Sequence, residues 1–173
     1  MDIDSMIIRP ATEDDRAPIR AVHEAAFGRA LEADIEYGLH VSGDERISLV
    51  AADGDGVVGH VVLSVGSIDD DMLVLCLGPI AVRPDRQRAG AGAALMHAAL
   101  AEAADTDAGL VVLLGHPSYY PRFGFEPAQP LGVECQWTDG PAWMALRLPR
   151  YDPSLRGFVR FPAAFDADTG PAS

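Results

Sequence analysis

Between positions 82 and 93 the chain reads Val-Arg-Pro-Asp-Arg-Gln-Arg-Ala-Gly-Ala-Gly-Ala. An apolar run ends at Val82 and an alanine-rich stretch with helical character starts near Gly92. A helix start presents backbone N–H groups without partners and the positive end of the helix dipole. Gly90 and Gly92 remove the side chains that would keep an anion at a distance. Successive N–H groups in such a loop can wrap a pyrophosphate. Arg83, Arg86 and Arg88 place three of the 13 basic residues in this one loop. The chemistry indicated is the binding of a phosphate-bearing ligand. A glycine-rich helix entry flanked by solvent-facing arginines accounts for the same spacing and stays open at this point. The dinucleotide fingerprint G-x-G-x-x-G/A is not met, because Leu95 holds its third position. No Gly-Lys-Ser/Thr triplet of a P-loop is present. Cys76 and Cys135 are too few for a disulfide framework or a four-ligand zinc site and read as reduced thiols.

The elements that must position this loop follow from hydrophobic periodicity. Residues 6–9 form a strand candidate stopped by Pro10, and Thr12 with Asp15 forms a capping box. Ile19, Val22, His23 and Ala26 recur at helical spacing, and a second helix is predicted over residues 30–40, with Gly28 as the break. Strands follow at 47–52, 57–65 and 73–82, the first two joined by the Asp53-Gly54-Asp55-Gly56 turn. Asp69-Asp70-Asp71 reads as a solvated turn. Gly78-Pro79 inside the third strand predicts a bulge or an edge. Residues 92–104 form a helix with Leu95, Met96, Ala99, Leu100 and Ala103 on its apolar face. A buried strand over 110–114, a short helix over 118–123 and strands over 131–137 and 142–148 complete the order β-α-α-β-β-β-α-β-α-β-β. That order implies an α/β (α+β) domain with a mixed sheet and helices on both faces.

At 173 residues the chain is one domain's length, and 49% hydrophobic content supplies a core. The 26 acidic residues against 13 basic ones give a formal charge of −13. Such a surface repels nucleic-acid backbones and anionic lipids, so no nucleic-acid or membrane partner is expected. The acidic start Met1-Asp2-Ile3-Asp4 carries no targeting signal, and no apolar run is long enough for a membrane helix. A cytoplasmic protein is expected. Residues 166–173 read as a frayed tail, whereas 151–165, with Tyr151, Phe158, Phe161 and Phe165, are too apolar for a linker.

Gln87-Arg88-Ala89-Gly90-Ala91-Gly92 resembles the Q/R-x-x-G-x-G/A signature of the GNAT superfamily of acetyl-CoA-dependent N-acetyltransferases. The preceding Ile80-Ala81-Val82-Arg83-Pro84 is similar to the strand end that leads into it. Tyr120-Pro121-Arg122-Phe123-Gly124-Phe125 resembles the family's Y-x-x-x-G-F segment, and Arg9-Pro10-Ala11-Thr12 resembles its first strand and helix start. The run from Gly115 to Phe125 looks like a bacterial subgroup whose acceptor is unassigned.

The resemblance implies a sheet splayed between its fourth and fifth strands. Residues 6–150 would be the acetyltransferase domain and 151–173 a C-terminal extension, partly packed. Acetyl-CoA would be the co-substrate, without a metal. Its pyrophosphate would lie on Arg88, Ala89, Gly90, Ala91, Gly92 and Ala93, with Arg83 and Gln87 beside them. Its pantetheine arm would pair with Ile80, Ala81 and Val82, and an N–H of Val82 or Ile80 would polarise the thioester carbonyl. Tyr120 falls on the general-acid tyrosine, or packs beneath the cofactor. His116 is a candidate base, with Glu24, Glu32 and Asp34 as candidates to line the acceptor site. His60 reads as structural and Tyr119 as packing. An acetyl-cysteine route through Cys76 is disfavoured. His116-Pro117-Ser118 stands where many members carry an asparagine that bonds pantetheine. The reaction implied is direct attack of a primary amine, on a small molecule or peptide, at the acetyl carbonyl. Open alternatives are a non-catalytic coenzyme A or acyl-CoA sensor and transfer of a longer acyl group. The acceptor arms are expected at 27–42 and 131–141, and the protein as a monomer or homodimer.

Overall fold

The computed structural model describes residues 5–69, 72–137 and 140–167. The acidic N-terminal start, Asp70-Asp71 and the tail from 168 onward lie outside the described residues.

Strand β1 (Ile7–Pro10) leads through a 3-10 turn into α1 (Arg16–Phe27) and α2 (Leu31–Ser42). Strands β2 (Glu45–Asp53), β3 (Gly56–Ile68) and β4 (Met72–Val82) then form an antiparallel meander. Helix α3 (Ala91–Ala104) crosses back to β5 (Leu110–Leu114), which lies parallel to β4. A helical crossover of this kind is what a parallel pair requires. Short strands β6 (Glu126–Pro127), β7 (Val133–Glu134), β8 (Trp143–Arg147) and β9 (Gly157–Arg160) complete the chain. The main sheet runs β1-β2-β3-β4-β5-β8-β6. Among the described residues no helix is long and apolar enough to cross a membrane.

Side chains alternate across this sheet with period two. Leu49, Ala51, Val61, Leu63, Leu75, Leu77, Val111 and Leu113 pack with α3 through Leu95, Met96 and Ala99. On the opposite face Val50 meets Ile19 and Val22 of α1, and Val62 meets Ile35 and Leu39 of α2. Val74, Cys76, Leu110 and Val112 of that face are covered by later segments, with Trp143, Leu155 and Val159. Helices thus cover both faces, as the element order requires.

The Thr12–Asp15 capping box is present. The Asp15 carboxylate accepts from the Thr12 N–H (2.8 Å) and hydroxyl (3.1 Å). Arg9 also donates to it at 2.7 Å and holds its carboxyl well below the usual range.

Three expectations are corrected. The helix over 118–123 is a 3-10 turn, Tyr120–Phe123, because prolines at 117 and 121 limit regular hydrogen bonding. The strand over 131–137 shrinks to β7, preceded by a 3-10 turn at Gln129–Leu131. Strands β6 and β9 were not anticipated, being two and four residues long. Strand β9 pairs with the far end of β3 at Ser67↔Arg160 and Ile68↔Val159. Residues 155–165 therefore pack on the sheet, and Asp166 and Ala167 sit in a 3-10 turn.

The feature that opens the sheet lies in β4. Val61 pairs with Ile80 and Leu63 with Leu77, so Val62 alone opposes Gly78 and Pro79. This is the bulge that the Gly-Pro pair predicts. Pairing of β4 with β5 is confined to Leu75↔Val111 and Cys76↔Val112. Beyond that point the two strands part.

Candidate active site

Two clefts meet at the splay. One, of about 550 Å³, lies over the loop between β4 and α3. The Gln87 side-chain amide donates to the Val82 carbonyl at 3.0 Å and folds the loop onto the end of β4. Gly90 caps α3 at φ 95°, a left-handed conformation that a Cβ would strain. The first helical bond runs from the Ala94 N–H to the Gly90 carbonyl (3.0 Å). The N–H groups of Ala91, Gly92 and Ala93 therefore stand ahead of the ladder, available to an anion. A Cβ at Gly92 would meet only Tyr119 Oη and Val82 Cγ2, each at 3.7 Å, which is ordinary contact. Packing within the protein does not require glycine there. Arg88, at φ 64°, and Arg122 bring positive charge to the same cleft. These residues fit the pyrophosphate of coenzyme A.

The arginines divide. Arg83 donates to Asp85 at 2.7 and 3.1 Å and does not line the cleft. Arg86 pairs with Asp85 at 2.9 Å, with Asp53 at 3.5 Å and with Asp55. The concentration of positive charge read from the loop is thus largely offset within the protein, and neither Arg83 nor Arg86 lines the cleft. Neither Ala89 nor Ala91 lines the cleft, and Ala91 is buried. Arg122 was missed as a cleft residue, and so was Tyr119. The Arg122 guanidinium lies 4.4 Å over the Tyr119 ring, and its Nε donates to the Tyr119 carbonyl at 2.8 Å. Tyr119 faces the loop rather than merely packing.

The edge of β4 runs out of this cleft. The Arg83 N–H donates to the Val58 carbonyl of β3 at 2.8 Å. Successive N–H groups of a strand point to opposite edges. Those of Val82 and Ile80 therefore point away from β3, to the edge that β5 has left. Ile80 lines both clefts and joins them.

The second cleft, of about 290 Å³, has the splay as its floor: Leu77, Gly78, Pro79 and Ile80 from β4, Leu113 and Leu114 from β5. Phe27, Glu32 and Ile35 of the helical arm and Trp137, Phe161 and Phe165 of the later chain also line it, and Phe165 packs against the cluster that holds Ile35. Tyr120 closes the end. Its ring lies edge-on to Tyr119 (5.1 Å) and Phe125 (5.9 Å), and burial pushes its hydroxyl up to about 12. A Cβ on Gly115 would overlap Tyr120 at Cε2 and lie 2.8 Å from Cδ2. Glycine at 115 is what lets the ring sit there.

Of the candidate carboxylates only Glu32 reaches the cleft. Its oxygens accept from Arg29 at 2.6, 3.0 and 3.2 Å. Glu24 and Asp34 pair instead with Arg20, at 3.5 and 2.6 Å. His116 is exposed and lines neither cleft; its carbonyl accepts the N–H groups of Tyr119 and Tyr120. His60 is buried, with Nε2 2.8 Å from Ser48 Oγ and Nδ1 2.9 Å from His23 Nε2. Burial drives both imidazoles below their ordinary value, His23 to about 4. Cys76 is wholly buried, and that burial pushes its thiol well up, away from the reactive thiolate. Among the described residues no group of three or more His, Cys, Asp or Glu is gathered to hold a metal.

Phe27 and Trp137 fall in or at the edge of the arms expected to hold the acceptor. Phe161 and Phe165 were legible only as apolar residues in the tail.

Comparison with known proteins agrees with this geometry. The family profile described as Acetyltransferase (GNAT) domain matches residues 7–128. The Escherichia coli (strain K12) protein named Uncharacterized N-acetyltransferase YjhQ is 31% identical over 156 residues, covering 84% of this chain and 86% of its own. The crystal structure of the Escherichia coli GNAT family N-acetyltransferase YhbS in complex with CoA superposes with TM-score 0.87 at 28% identity, covering 94% of this chain and 92% of that one. A GNAT family acetyltransferase from Brucella melitensis in complex with acetyl-CoA superposes with TM-score 0.79 at 33% identity, covering 93% and 98%. The chain belongs to the GNAT family of N-acetyltransferases and is an acyltransferase.

Proposed function

We propose that the protein transfers the acetyl group of acetyl-CoA to a primary amine by direct attack. The observation that carries this reading is the junction at Ile80. A cleft with free helix-start N–H groups and two arginines runs along an unpaired strand edge into an apolar cleft closed by Tyr120. Relatives of the same fold are described with CoA and with acetyl-CoA.

Acetyl-CoA supplies an acetyl thioester, whose carbonyl is open to a neutral amine. The N–H groups of Ala91, Gly92 and Ala93 hold the pyrophosphate, with Arg88 and Arg122 adding charge. The free edge of β4 aligns the pantetheine arm through main-chain groups. The Ile80 or Val82 N–H polarises the thioester carbonyl. The C–N bond forms as the C–S bond breaks, and the sulfur takes up a proton while the nitrogen loses one. Tyr120 is the donor at the sulfur. With its hydroxyl raised to about 12 it stays protonated throughout the neutral range. Complete transfer to a thiolate of ordinary pKa near 8.5 would run uphill by about 3.5 units, or about 5 kcal/mol. Tyr120 therefore acts first as a hydrogen-bond donor to the charge building on sulfur. The proton passes to sulfur as the acylated nitrogen, now strongly acidic, gives up its own, which returns through water to the Tyr120 oxygen and restores the phenol. His116, exposed and outside both clefts, has no part in this route.

The test is thiol release from acetyl-CoA with and without added amines, with mass spectrometry of the products. Amine-dependent release with an N-acetyl product is expected. Tight acetyl-CoA binding with no amine-dependent release would overturn the reading and favour a coenzyme A sensor.

A further inference from the structure

We propose that the acceptor is an amine carried on a flat, apolar body, of the arylalkylamine class, rather than a polyamine or an aminosugar. The inference rests on the acetyl-transfer reading above, because it names that reaction's acceptor.

Three segments far apart in the chain bring aromatic rings to the second cleft: Phe27 at the end of α1, Trp137 before β8, and Phe161 with Phe165 after β9. Three of these rings touch each other edge to face. Phe161 lies 5.2 Å from Trp137 and 5.2 Å from Phe165, centroid to centroid. Offset and edge-on contacts of this kind are the ones a further ring can join. Phe27 also lines the cleft and is 41% exposed.

Charge argues the same way. The whole chain carries a formal charge of −13, which by itself would suit a polycation. The cleft does not share it. Among the described residues lining it, the charged ones are Arg29 and Glu32, and these bond each other through both carboxylate oxygens. Spermidine would bring several ammonium groups to one carboxylate already held by a guanidinium. Glucosamine would bring hydroxyls to aromatic and aliphatic walls, where an unmatched polar group is costly to bury.

The same surroundings prepare the nucleophile. An apolar cleft disfavours the ammonium form and lowers the amine's pKa, raising the fraction carrying a free lone pair. The hold of Arg29 on Glu32 keeps that carboxylate from pulling the amine back to its charged form. A volume of about 290 Å³ suits a ring on a short tether beside the acetyl group and places the acceptor among the smaller ligands.

The experiment compares phenethylamine and tryptamine with spermidine and glucosamine as acceptors for the full chain at saturating acetyl-CoA. A kcat/KM for the two aromatic amines at least about tenfold above the other two is expected. Trp137→Ala and Phe161→Ala should each raise the KM for phenethylamine about tenfold and leave the Kd for acetyl-CoA within about twofold, a split that general misfolding would not produce. In parallel, phenethylamine and spermidine are titrated calorimetrically into the protein with coenzyme A present. Turnover of spermidine or glucosamine at or above the rate of the aromatic amines would overturn this inference and leave acetyl transfer standing. Selective phenethylamine binding without turnover of any amine would sustain the cleft's preference and overturn acetyl transfer. The absence of both binding and turnover of the aromatic amines would overturn the inference outright.

Discussion

Gly115 is the most direct lever on Tyr120. Its backbone has no positive φ, and its N–H donates to the Ala142 carbonyl at 3.0 Å, so alanine is compatible with the main chain. The added Cβ, however, falls on the Tyr120 ring at Cε2 and 2.8 Å from Cδ2, with Leu113 Cδ1 at 3.2 Å on its other side. Relief requires the ring to move by roughly 1 Å, and a misplacement of that size costs on the order of 10²-fold in rate. That is about 2.7 kcal/mol of transition-state stabilisation. Tyr120→Phe, which removes the donor itself, should cost roughly the same. Because both changes remove one interaction, Gly115→Ala with Tyr120→Phe should be no slower than the worse single variant. The assay is kcat by thiol release, with the acetyl-CoA Kd by calorimetry and a thermal melt as controls. Neither residue lines the loop cleft, so Kd should hold. Wild-type kcat in Gly115→Ala, or losses that multiply to about 10⁴-fold in the double variant, would refute the reasoning.

Three further outcomes are expected. Gly90→Val forces a β-branched residue to φ 95° at the helix start and should weaken acetyl-CoA binding by more than about tenfold; an unchanged calorimetric Kd would remove the loop as the pyrophosphate site. Arg88→Ala and Arg122→Ala should each weaken coenzyme binding about tenfold, whereas Arg83→Ala, whose side chain is bound to Asp85, should change it by less than about twofold; equal losses for all three would show that the cleft does not discriminate among them. His23 binds protons in the unfolded chain near 6.5 but in the folded protein only near 4, so stability is full above pH 6.5 and falls as pH drops toward 4. At pH 5 the loss from His23 is about 2 kcal/mol. His60 acts in the same direction, and Glu36, raised by burial, in the opposite one. Urea unfolding at pH 7 and pH 5 should show a gap that shrinks by about 2 kcal/mol in His23→Gln; an unaltered gap would sink the assignment.

Much of the site is written in local patterns. The bulge follows from Gly78-Pro79, the glycine-bearing helix start from Gly90 and Gly92, and the tyrosine at the second cleft from the Tyr120 segment. The main strands and helices follow from period-two and helical spacing, and the two faces of the sheet sort as that alternation requires. Other features are invisible in such windows. Asp85, which pairs with Arg83 and Arg86, lies in the loop itself, but Asp55, 31 positions from Arg86, could not be read there as its second partner. Tyr119 and Tyr120 are neighbours, and the 3-10 turn that sends one ring to each cleft is not encoded by spacing. The two residues of β6 are too few to show a period, and the four of β9 lie in a tail whose pairing with β3 is set by distant residues, so both stayed hidden. Periodicity reports which face of an element is apolar, and that is set by residues two to four apart. It does not report which distant element covers that face. The second cleft is lined by rings from positions 27, 137, 161 and 165, and only their meeting in space forms it.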